Sequence, residues 1–67
     1  MWTVVYIASS LPMAERLKAL LERDGLLAQL RPLEVDEAGR GSVEVLVPEA
    51  EAEEAQELLT AHLGGMA

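Results

Sequence analysis

The chain has 67 residues and carries five Lys/Arg against twelve Asp/Glu, a formal net charge of −7. That length holds one small domain and is too short for a nicotinamide, pyridoxal-phosphate or kinase enzyme with its own substrate pocket. A hydrophobic share of 51% supports folding despite the acidity, the absence of cysteine excludes disulfides and thiolate metal sites, and the negative charge opposes nucleic acid and anionic membrane surfaces.

The first element is the run Trp2–Ala8, WTVVYIA, short and rich in β-branched and aromatic residues, which predicts a strand. Strict alternation puts Trp2, Val4 and Tyr6 on one face and Val5 and Ile7 on the other, so both faces are apolar. Ser9-Ser10-Leu11-Pro12 follows as a helix start: Ser10 can cap, and a proline is tolerated in the first turn, where its missing N–H has no partner to lose. Ala14, Leu17, Leu20 and Leu21 recur at helical spacing, with Glu15, Arg16, Lys18, Glu22 and Arg23 on the polar side. Gly25 ends the helix as a left-handed residue, and Leu26 then meets Leu21 in the apolar contact of a Schellman ending.

A second strand is expected over Leu27–Arg31, ended by Pro32 and placed at a sheet edge, where a missing donor costs little. The acidic segment 34–42, with Gly39, Arg40 and Gly41, predicts a connection longer than a tight hairpin. Ser42–Val47 predicts the third strand, with Val43, Val45 and Val47 on one face, Glu44 and Leu46 on the other, and Pro48 as its stop. A second helix is expected from Glu49 to His62, its stripe made of Ala52, Ala55, Leu58, Leu59 and Leu63. Its early glutamates suit the positive end of the helix dipole. Residues 1–63 then form a single domain, and 64–67 a frayed tail.

The order β-α-β-β-α implies an α+β sandwich with two helices on one face of a three-stranded antiparallel sheet. A right-handed first crossover leaves the third strand between the other two, order 2-3-1. This is a ferredoxin-like plait whose final strand is missing, so the outer edge of the first strand stands open and predicts self-association there as a dimer. The helix-free face offers Trp2, Val4, Tyr6, Arg31, Glu44 and Leu46 as an interaction surface for a second copy or another protein.

No constellation points to catalysis. Glu49, Glu51, Glu53, Glu54 and Glu57 read as a solvated helix face rather than a metal site, because His62 is five residues beyond Glu57 and points elsewhere. His62 is the only histidine and has no nucleophile as partner. Ser9 and Ser10 cap a helix, no glycine-rich phosphate loop precedes them, and Arg40 between two glycines is a solvated loop residue. The expectation is a protein that is not an enzyme and holds no cofactor or metal. The N-terminus has no basic stretch before its apolar run, and no run approaches the ~20 residues of a membrane span, which predicts a cytoplasmic protein with no membrane and no nucleic-acid partner.

Three stretches, WTVVYIA, AERLKALLERDGL and VEVLVPEAEAEEAQELL, together resemble a family of small bacterial signal-transducing proteins, a domain of unknown function similar in fold to the nitrogen-regulatory PII-type proteins. The resemblance runs from Trp2 to about Leu63 and is carried by structural positions: Ala14, Leu17, the Gly25 turn, Val47-Pro48, Ala52 and Ala55. It implies a ferredoxin-like fold and a regulatory role. PII-type proteins present a basic, glycine-containing nucleotide site, and the acidic segment 34–42 departs from it, so nucleotide binding is not carried over. The leading expectation is a regulatory or protein-interaction module. The alternative is a small-ligand sensor resembling ACT domains, with its ligand at a subunit interface.

Overall fold

The computed structural model describes residues 1–64, and the tail expected over 64–67 lies, beyond Gly64, outside the described residues. The elements run β1 (Trp2–Ser10), α1 (Leu11–Arg23), β2 (Gln29–Val35), β3 (Arg40–Pro48), a 3-10 turn (Glu49–Glu51) and α2 (Ala52–Gly64). The three strands form one antiparallel sheet in the order β1-β3-β2. The α+β class, the two helices and the central third strand match the sequence expectation.

The core lies on the side of the sheet that carries the helices. Val5 and Ala8 of β1, Val43, Val45 and Val47 of β3, Ala14, Leu17 and Leu21 of α1, and Ala55 and Leu59 of α2 form one buried cluster, closed by Leu26. Alternation along β3 produces this directly: every second residue is a valine, and all three are fully buried.

Both ends of α1 are satisfied, by the expected Ser10 cap and Gly25 ending and by a tertiary contact to Gly39 that the sequence does not show. Ser10 Oγ accepts from the Met13 N–H at 3.2 Å, Pro12 has no N–H to satisfy, and the Leu11 N–H donates to the Gly39 carbonyl at 2.8 Å. At the far end the Leu26 N–H donates to the Leu21 carbonyl and the Gly25 N–H to the Glu22 carbonyl, with Gly25 at φ +87°. That is the Schellman pattern, and it buries Leu26 against Leu21.

Three expectations are corrected. First, β2 begins at Gln29 rather than Leu27 and runs through Pro32 to Val35. Leu26 is consumed in closing α1, and the Leu27 N–H donates instead to Glu51 Oε1 at 3.0 Å. Pro32 is tolerated inside the strand because β2 is an edge, and the register shifts immediately after it, between Pro32 and Glu34.

Second, segment 34–42 is not a long connection. Its ends extend β2 and β3, and only a tight turn remains between Asp36 and Arg40. The Asp36 N–H donates to the Arg40 carbonyl and the Gly39 N–H to the Asp36 carbonyl. Asp36 Oδ1 accepts from the N–H groups of Ala38 and Arg40 at 2.9 and 3.0 Å. Gly39, at φ +80°, supplies the left-handed residue such a three-residue hairpin requires.

Third, β1 is not a regular alternating strand. Val4 pairs with Leu46, but Tyr6 pairs with Val45, so one extra residue, Val5, is inserted between them. Beyond that bulge every side chain changes face.

Candidate functional site

The sheet face without helices is built from alternate residues of all three strands. Trp2, Val4 and Ile7 come from β1, opposite Pro48, Leu46 and Glu44 of β3. On the other side of β3, Gln29 stands opposite Leu46, Arg31 opposite Glu44, and Glu34 opposite Ser42. Leu33 is the extra residue of the β2 bulge, inserted beside Glu34.

Much of this face is apolar and open to solvent. Ile7 is 56% exposed, Leu33 53%, Trp2 45% and Val4 37%. At its centre Leu46 is only 6% exposed although no helix covers it. Its neighbours on the flanking strands, Val4 and Gln29, shield it. The charged member is an ion pair across β2 and β3: the Arg31 guanidinium donates through Nε and Nη2 to Glu44 Oε1, each contact 2.6 Å. The Glu44 side chain is largely covered while that of Arg31 is mostly exposed. The pair is self-neutralising and sits between Ile7 on one strand and the Leu33 bulge on the other.

Of the residues singled out from the sequence, Trp2, Val4, Arg31, Glu44 and Leu46 share this face. Tyr6 does not. The bulge pairs it with Val45 and packs it against the buried core. Ile7 takes the outward position that alternation would have assigned to Tyr6. Sequence reading missed Ile7, Leu33 and Gln29. The first depends on the β1 bulge and Leu33 on the true end of β2, whereas Gln29 lay on the Arg31 side of the expected strand and was left out of the surface. An apolar run on both faces, WTVVYIA, is compatible with either phase, so nothing local marks where the phase slips.

The outer edge of β1 is less open than its sequence suggests. The Met1 carbonyl accepts from the Glu49 N–H at 2.7 Å, so antiparallel alternation turns the backbone groups of Trp2 and Val4 away from β3. Beyond Val4 the edge is interrupted. The bulge follows, a second irregularity lies between Ala8 and Ser10, and the Val5 carbonyl accepts from Gln56 Nε2 of α2 at 3.1 Å. Bulges and side-chain cover of this kind discourage pairing with a further strand.

Elsewhere the chemistry is sparse. Met13, Arg16, Leu17, His62 and Leu63 line a cleft of about 390 Å³ between the helices. Among the described residues, no three His, Asp or Glu side chains come together as a metal site. Arg40 faces Asp36 Oδ2 at 3.4 Å across the hairpin, and both side chains are exposed. Ser10 is committed to its cap. No helix among the described residues is long and apolar enough to cross a membrane. No protein-family model, no curated protein and no solved structure matches this chain.

Proposed function

We propose that this domain is a non-enzymatic regulatory or protein-interaction module that works by presenting its helix-free sheet face to another protein chain. One observation carries the reading: Ile7, Leu33, Trp2 and Val4 are exposed together on one face, around the shielded Leu46. Scattered apolar side chains are ordinary on any surface, whereas here four share one sheet face and the charged pair that divides them, Arg31 and Glu44, neutralises itself. Trp2 adds a residue type that dominates contact energies when buried. The order β1-α1-β2-β3-α2 supports assignment to the ferredoxin-like arrangement, in which a further strand would lie beside β1. The regulatory role rests on the resemblance to small bacterial signal-transducing proteins. The contact is sheet-face rather than sheet-edge, because both edges are broken: β1 offers uninterrupted edge backbone only over Trp2–Val4, and β2 is cut by Pro32 and the shift after it.

The test is site-specific photo-crosslinking in cells. A benzophenone side chain at position 7 is expected to capture protein, and the same group at Glu57, exposed on α2, is not. Equal capture from both positions, or none from position 7, contradicts the reading.

A further inference from the structure

We infer that the occupant of the helix-free face is a second copy of this chain, docked face to face about a two-fold axis. The inference rests on the sheet-face reading above and adds the identity of the partner.

Charge selects the partner first. The chain carries −7, and five of its twelve acids, Glu49, Glu51, Glu53, Glu54 and Glu57, lie on the 3-10 turn and α2. On the helix-free face Arg31 compensates Glu44, and Glu34 at the hairpin end is the only other acid the register places there. This is therefore the face on which two strongly acidic molecules approach with least repulsion. A basic partner would gain more from α2 than from here. The face also holds a positive and a negative group side by side, and a two-fold axis can set each against its opposite on the other copy, the self-complementarity an isologous contact requires.

Area sets the strength. Strands of seven to nine residues, spaced ~4.8 Å apart and rising ~3.3 Å per residue, give a face of about 400 Å² per copy. Two such faces bury about 800 Å², below the roughly 1,200 Å² of a stable complex and in the range of weak, transient pairs. Two sheets can pack this way with their inner side chains interleaved about 10 Å apart. Leu46, shielded but uncovered in the single chain, would then lie in the middle of a second apolar layer. A chain of 67 residues without cysteine belongs to the size range in which association commonly supplements a small core.

Sedimentation velocity of the purified chain, from about 1 μM to about 1 mM, tests this directly. The expected result is a mass that rises reversibly from 7.2 kDa toward twice that value at high micromolar concentration. Ile7→Glu and Leu33→Glu, placed on different strands at exposed positions, are each expected to weaken the dimer at least about tenfold, since each sets an uncompensated charge in a desolvated face. Their circular dichroism should match the parent, and Glu57→Gln should leave the dimer unchanged. A chain that stays at 7.2 kDa throughout overturns the inference, and so does a dimer indifferent to both variants. In either case the crosslinking separates the two claims. A different protein captured from position 7 keeps the sheet-face reading and removes the second copy, whereas no capture removes both.

Discussion

Gly41 is the residue this fold can least replace. It pairs with Val35 at φ +139°, and a Cβ there would lie 1.7 Å from the Glu34 carbonyl oxygen. Gly25 is also left-handed, at φ +87°, but a Cβ there meets nothing within 4 Å. Alanine at position 25 should therefore cost about 1 kcal/mol, from backbone strain alone. Alanine at position 41 should cost roughly 3 kcal/mol or more, from strain plus overlap with backbone. Urea unfolding of the two variants checks the order, and equal losses would contradict the close approach. The sequence signalled Gly25 clearly, because it follows an amphipathic helix and precedes Leu26. It did not separate Gly41 from Gly39. One glycine turns the hairpin and the other admits a neighbouring backbone, and that difference appears only once the strands are paired.

Among the elements, β1 decides what the surface looks like. Its bulge turns Tyr6 toward the helices, beside Val5, and Ile7 away from them. The inserted residue disturbs the ladder locally, and α2 compensates by donating Gln56 Nε2 to the Val5 carbonyl. Gln56→Ala should cost about 1 kcal/mol by leaving that partly buried carbonyl short of a donor. It should also speed hydrogen exchange at the amides flanking the bulge more than at β2, and uniform acceleration across the sheet would show that the bond does not hold the bulge. Elements whose period is unambiguous were legible from the sequence: α1 with its cap and its glycine stop, and β3 with its alternating valines. The bounds of β2 were not, because the Leu27 N–H is spent on Glu51 rather than on a strand, and Pro32 sits inside an edge strand instead of ending it. Segment 34–42 looked like a loop by composition. Its structure is instead set by Asp36, whose carboxylate gathers two backbone N–H groups into a tight turn.

At the scale of the whole molecule, two helices cover one side of the sheet and the other side stands uncovered among the described residues. Most of the candidate surface could be read in advance, since Trp2, Val4, Arg31, Glu44 and Leu46 share a face once three strands are assumed. Ile7 and Leu33, its two most exposed apolar members, could not be, because each owes its position to a register shift. The central claim is that this face, and not the acidic helical side, meets a second copy. Amide and methyl NMR spectra recorded over a dilution series test it most directly, because they map the contact residue by residue. A face-to-face dimer gives concentration-dependent shifts at Trp2, Val4, Ile7, Arg31, Leu33 and Leu46, with the exposed residues of α1 and α2 unmoved. Spectra that do not change with concentration, or shifts that gather on the helices instead, would contradict it.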